Sequence, residues 1–170
     1  MFQKGKKSSP LTGGLSIMIV GCGKVGKTLV ERLSKEGHDI SVVDKSAARL
    51  QSVTNMYDVF GVVGNGASFT VLKEAGIEHT DILIAVTDSD ELNLLCCLVA
   101  KRSGNCDVIA RVRTPDYSEE KTYLKEKLGL AMMINPEQEA ANAISRILYM
   151  PTALDVAPFA RGHVEMVRIK

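Results

Sequence analysis

Along this chain, short apolar runs of strand length alternate with longer stretches in which apolar residues recur every three or four positions. The strand candidates are Ile17–Val20, Ile40–Val43, Val59–Val62, Ile82–Val86, Val108–Val112 and Met132–Ile134. Helical patterns fill the gaps at Val25–Glu36, Ser46–Val53, Phe69–Ala75, Glu91–Ser103, Ser118–Lys127 and Glu137–Leu148. Gly37, Gly76, Gly104 and Gly129 stand at helix ends, where a left-handed C-cap is expected before the next strand. Apolar runs separated by helices predict a parallel sheet covered on both faces. Right-handed crossovers then give an α/β, Rossmann-like, doubly wound parallel six-stranded sheet in the order 3-2-1-4-5-6. A ligand in such a fold crosses the carboxyl ends of strands 1 and 4.

Two helices carry more apolar surface than one sheet face needs. Leu92, Leu94, Leu95, Cys96, Cys97, Leu98, Val99 and Ala100 leave little polar face on the fourth. In the last, Ala140, Ala141, Ile144, Ile147 and Leu148 form a stripe whose small residues permit close helix approach. Part of this surface is expected to pair two copies of the chain, with the last helix as a dimerisation helix. Met150-Pro151 stops the pattern, Thr152–Arg161 reads as loop, and Val164–Ile169 alternates as a strand without a partner in the sequence.

The first strand runs directly into Gly21-Cys22-Gly23-Lys24-Val25-Gly26, a G-x-G-x-x-G loop that opens a helix. Gly21 permits the tight turn, Gly23 lets a pyrophosphate approach the backbone, and Gly26 lets the helix pack against the sheet. The helix beginning near Lys24 points unpaired N–H groups and its positive dipole end at phosphates. Asp44 ends the second strand, roughly 20 residues downstream of the glycines, where an acid accepts ribose hydroxyl protons. Together these predict a mononucleotide or dinucleotide site; the competing reading is a purely structural turn. Asp44 disfavours a 2′-phosphate, and Lys45 beside it keeps that possibility open.

Composition narrows the class. A chain of 170 residues with 45% apolar content suits one aliphatic domain, with the beginning of a second. The net charge of +1 gives no electrostatic case for nucleic acid or an anionic membrane. No apolar run approaches the roughly 20 residues that cross a bilayer, so a membrane role would come through a partner. The four cysteines lack metal-ligand spacing and read as small core residues. Cys22 differs, because a thiolate at a helix N-terminus is stabilised, which would allow a redox role. Met1–Gly14 is basic and rich in Ser, Pro and Gly, and reads as a disordered arm or a tag.

Later strand ends supply further candidates. Gly64-Asn65-Gly66-Ala67 leaves room for an adenine against backbone. Thr87-Asp88-Ser89-Asp90-Glu91 lies beside the crevice and serves as ligand contact, helix cap, or both. Arg111 and Arg113 flank Val112 and point to one face. A buried arginine needs an anion, either a phosphate or a carboxylate such as Asp88 or Asp107. His38, His79 and His163 fall away from the crevice, and no acid–base set is placed for hydride or proton transfer. That argues against an enzyme. The alternative is an NAD-dependent oxidoreductase module lacking its substrate domain.

These motifs, with E-A-G-I-E-H-T-D-I-L-I-A-V-T-D-S-D-E-L-N, I-A-R-V-R-T-P-D-Y and I-N-P-E-Q-E-A-A-N-A-I-S-R-I-L, resemble the N-terminal domain of Trk-type potassium-uptake regulators, also called the RCK or KTN domain. The resemblance covers residues 16 to about 150. It implies a cytoplasmic regulator, peripheral to the inner face of the membrane, that binds NAD(H) or ATP/ADP. It implies a homodimer or higher homo-oligomer acting on a potassium-transporting membrane subunit. It places the nucleotide on the loop Gly21 to Val25, Asp44, Thr87, Asp88 and Arg111. Asn65 departs from the Asp that many relatives carry, which removes a charge from the adenosine end. Residues 15–150 then form the nucleotide-binding domain, and 151–170 resemble a connector toward the family's C-terminal domain.

Overall fold

Six parallel strands pair in the order β3-β2-β1-β4-β5-β6, the doubly wound order that the pattern predicts. They are β1 (Ser16–Val20), β2 (Asp39–Asp44), β3 (Phe60–Val63), β4 (Ile82–Ala85), β5 (Asp107–Arg111) and β6 (Met132–Ile134). Between them run α1 (Lys24–Lys35), α2 (Ala47–Thr54), α3 (Phe69–Glu74), α4 (Asp90–Ser103), α5 (Pro115–Glu119) and α6 (Lys121–Leu128). The computed structural model describes residues 14–149, 153–159 and 164–169.

The two-residue period of the strands sorts the core into two layers. Ile17, Ile19, Ile40, Val42, Ile84 and Val86 face α1 and α2 with Val30, Leu50 and Val53. Met18, Val20, Val43, Leu83, Ala85 and Val108 face the opposite layer, built on Leu72, Cys96, Cys97 and Ala100. Met18 and Leu83 are fully buried, each stabilising the fold by about 1.5–3 kcal/mol relative to exposure. The four cysteines are buried free thiols.

Helix ends follow the glycines with one exception. Gly37, Gly76 and Gly129 take the left-handed conformation. Gly104 does not: it is extended, with φ −138°. Its reason for being glycine is close approach, since a Cβ there would sit 2.9 Å from the carbonyl oxygen of Ile77. The stretch Ser118–Lys127 also differs from the single helix expected. Pro115 starts α5 early, and Glu120, at ψ 13°, separates it from α6.

The division of the chain falls between Ile134 and Asn135. The second unit holds α7 (Pro136–Tyr149) and an antiparallel hairpin of β7 (Ala153–Phe159) and β8 (Val164–Ile169). Thr152–Arg161 is therefore mostly strand, and β8 does have a partner in the chain. Pro158 disguised β7, because Pro weakens any strand reading from sequence. Ile144, Ile147, Leu148 and Tyr149 are exposed along α7. Residues 1–13 of the basic arm, and the Met150-Pro151 stop, lie outside the described residues.

The loop leaving β1 is set by two glycine contacts. Gly21 has φ +105°, and a Cβ there would come within 3.0 Å of the Thr87 nitrogen. A Cβ on Gly26 would lie 1.8 Å from the Gly21 carbonyl oxygen. Gly26→Ala should therefore push α1 off the sheet and cost about 2–3 kcal/mol, read as a lower midpoint in urea unfolding.

Candidate functional site

β1 and β4 are the adjacent central strands from which the chain departs in opposite directions, so their carboxyl ends open a crevice. Asp44 forms its floor. Its Oδ2 accepts the Cys22 N–H at 2.6 Å and its Oδ1 accepts the Ser46 N–H at 2.7 Å. The carboxylate is only 7% exposed. Each oxygen keeps a second lone pair, so hydroxyl donors from a sugar can still be accepted. In the structure Asp44 ties the glycine loop to the start of α2.

That tie uses the Cys22 amide, so the helix-end donors without a partner in the helix lie farther along. The first α1 bond runs from Lys27 N to Gly23 O, and no side chain caps the helix. The amides of Lys24, Val25 and Gly26 thus lack intrahelical acceptors. Gly23 meets nothing within 4 Å of where its Cβ would lie, so the space above the loop is open. Gly26 lines neither part of the crevice; it packs on Gly21.

The thiolate expected at Cys22 is not stabilised. Burial, and then the Asp44 carboxylate, push the Cys22 thiol up to about 12, against a smaller opposing effect of Arg49. Desolvation and a neighbouring negative charge outweigh the helix dipole.

The crevice has two lobes. One, of about 210 Å³, is lined by Val20, Gly21, Gly23, Asp44, Lys45, Gly64, Asn65, Gly66, Thr87 and Leu92, among others. The other, of about 480 Å³, is lined by Cys22, Gly23, Lys24, Val25, Lys27, Val86, Arg111 and Arg113. Gly23, Arg49, Val86 and Asp88 border both. The first lobe is mostly apolar in its walls and suits an adenosine; the second is strongly cationic and suits phosphates.

Within the first lobe, Asn65 Oδ1 accepts the Ala67 N–H at 3.0 Å, so its amide NH2 is the group left to donate. Ala67 itself packs on the core and is absent from the cleft wall. Thr87 lines the crevice, but its hydroxyl turns inward to Asn93 Oδ1 at 2.7 Å. Asn93 is fully buried. It also accepts the Thr87 N–H and donates to the Arg111 carbonyl at 2.9 Å, clamping β4 to β5.

Asp90 is the second clamp. Its Oδ2 accepts from Arg113 N, Thr114 N and Thr114 Oγ1 at 2.7–2.8 Å. Burial pushes the Asp90 carboxyl up, yet the Thr114 and Arg113 donors together hold it below its ordinary value. Arg113 pairs with Asp90 at 3.5 Å and donates to the Asp88 carbonyl. Of the acids considered for the strand-5 arginines, Asp88 pairs with Arg49 and Asp107 with Lys101. Arg111, 8% exposed, borders the cationic lobe opposite the glycine loop. His38 and His79 line neither lobe, and His163 lies outside the described residues.

Sequence reasoning missed Arg49, Asn93 and the anchoring role of Asp90. A signal for Arg49 existed. Cations Lys24, Lys27 and Arg49 occupy the first turns of α1 and α2, which hold no acid, although the helix dipole favours acids there.

The TrkA-N domain model matches residues 17–136. The chain belongs to the TrkA-N domain family. This TrkA-N chain is 40% identical over 158 residues to the Trk system potassium uptake protein TrkA of Halomonas elongata, covering 92% of this chain and 35% of that protein. It is 36% identical over 156 residues to the TrkA homolog of Archaeoglobus fulgidus, with the same coverage. It thus spans 35% of the length of these two relatives. Among solved structures, the TrkA-N domain of inner membrane protein ybaL from Escherichia coli superposes with TM-score 0.70 at 23% identity, covering 81% of this chain and 99% of that one. The GsuK channel bound to NAD gives 0.64 at 21% identity, covering 89% of this chain and 26% of that one. GsuK bound to ADP gives 0.61 at 22%, covering 75% and 32%. These likenesses carry the TrkA-N fold.

Because the folded Asp90 is depressed below its ordinary 3.8, its stabilisation is complete above that pH and fades as pH falls through the lower folded value. Asp90→Asn should cost about 1–3 kcal/mol at pH 7. The deficit against wild type should shrink in urea titrations run progressively below pH 3.8.

Proposed function

We propose that this chain is the nucleotide-sensing part of a regulatory subunit for potassium uptake. One observation carries the ligand class: α1 and α2, which border the crevice, bear cations and no acids in their first turns. α4, by contrast, begins with Asp90 and Glu91. Positive side chains added to positive helix ends are costly unless an anion offsets them.

The ligand is NAD(H) or ATP/ADP. Phosphates would lie on the amides of Lys24, Val25 and Gly26, with Arg111 supplying charge from β5. Asp44 would accept from the ribose, and Asn65, Lys45 and the Thr87-Asp88 corner would enclose the adenosine. The GsuK neighbours with NAD and with ADP support both ligand classes. Bound nucleotide supplies no reaction in this reading; the chain's own residues bind, orient and report it.

The relatives' names support a partner that transports potassium across the membrane, and none of the described helices is long and apolar enough to cross one. We place the chain at the cytoplasmic face, peripheral to that membrane subunit, with no nucleic-acid role. The α7 stripe of Ala140, Ala141, Ile144, Ile147 and Leu148 supports a homodimer or higher homo-oligomer. A nucleotide then regulates by differing in affinity for two arrangements of the paired subunits.

Gly23 sits at φ −68°, which any residue adopts, and its Cβ position is open. Gly23→Val should therefore keep its thermal midpoint while filling the phosphate space. Calorimetric titration with ADP and with NAD should show affinity reduced about 100-fold or more. Wild-type affinity in that variant would overturn the placement of the phosphates.

A further inference from the structure

An ion pair spans the crevice where its two lobes meet. Arg49 Nη1, from the first turn of α2, lies 3.6 Å from Asp88 Oδ2 in the loop after β4. Both residues border both lobes, as does Gly23 of the glycine loop. Arg49 also acts electrostatically on the Cys22 thiol within that loop. Its charge is therefore felt where phosphates would arrive.

We propose that Arg49 is a phosphate-selecting residue that Asp88 holds across the crevice mouth, and that a nucleotide phosphate displaces Asp88 to claim it. This rests on the nucleotide reading above.

Three features make the exchange physically easy. The side chains are 51% and 80% exposed, and an ion pair so well solvated is weak. A phosphate offers more charge and a better match to the guanidinium fork than one carboxylate oxygen at this separation. The backbone under Asp88 is also pinned. Its carbonyl accepts from Arg113, and the Thr87 N–H on its other side is bonded to Asn93. Opening the strap thus needs rotation of two surface side chains and no loop movement.

The same geometry assigns opposite signs to neighbouring residues. Arg49 favours phosphorylated ligands, whereas Asp88 works against them by competing for Arg49. A nucleoside without phosphate leaves the pair intact.

The test is a double-variant cycle on the full chain, titrating ADP and adenosine by calorimetry and comparing the ratio of their affinities. Asp88→Asn should raise the ADP-to-adenosine ratio about three- to fivefold. Arg49→Ala should lower it about tenfold. In the double variant the ratio should match that of Arg49→Ala alone, because the competition has lost its object. A gain from Asp88→Asn of the same size with and without Arg49 would mean simple repulsion, and overturns the strap. So does an unchanged ratio in Arg49→Ala. If the wild-type chain binds neither ADP nor adenosine, the nucleotide reading fails and the strap fails with it. Binding with independent effects sinks the strap alone.

Discussion

The Asp44 carboxylate, shared between the Cys22 and Ser46 amides, is the constraint on which the crevice depends. It joins the loop after β1 to the loop after β2, two segments far apart in sequence. Because Asp44 is buried, those two bonds form in a medium where they are strong, and losing either leaves an amide without an acceptor. With Cys22 held down, the next amides turn outward together. The same carboxylate raises the Cys22 thiol, so one charge sets both the shape and the chemistry of the loop.

The opposite wall is held by a different device. Asn93 uses its amide and carbonyl to join the Thr87 corner to β5, and Asp90 gathers the Arg113 and Thr114 amides. Both are buried polar groups whose hydrogen bonds are made. Each wall is therefore fixed by main-chain bonds to a buried side chain. What remains adjustable is the set of exposed cations and Asp88 above them.

The fold was legible because each strand alternates between two helix layers and each crossover obeys one hand. Ile17 and Ile19 against Met18 and Val20 show this on a single strand. The glycine loop was equally plain, since Gly21 and Gly26 are needed by contacts a Cβ would break. Where reading failed, the reason was a long-range contact. Gly104 answers to Ile77 rather than to its own φ. The hydroxyl contact of Thr87 with Asn93 and the core packing of Ala67 are likewise not encoded in local spacing, and neither decides what those residues bind. The β7–β8 hairpin was hidden because Pro158 interrupts a pattern that otherwise alternates. Arg49 was visible only as a charge in the wrong helix turn.

Cys22 gives the crevice one further property. A thiol that burial and Asp44 push up to about 12 stays protonated at neutral pH. Peroxides and electrophilic metabolites attack the ionised sulfur, so they find almost none at the base of this loop. A nucleotide held above this loop, as proposed, would therefore lie over a sulfur that such reagents leave largely untouched.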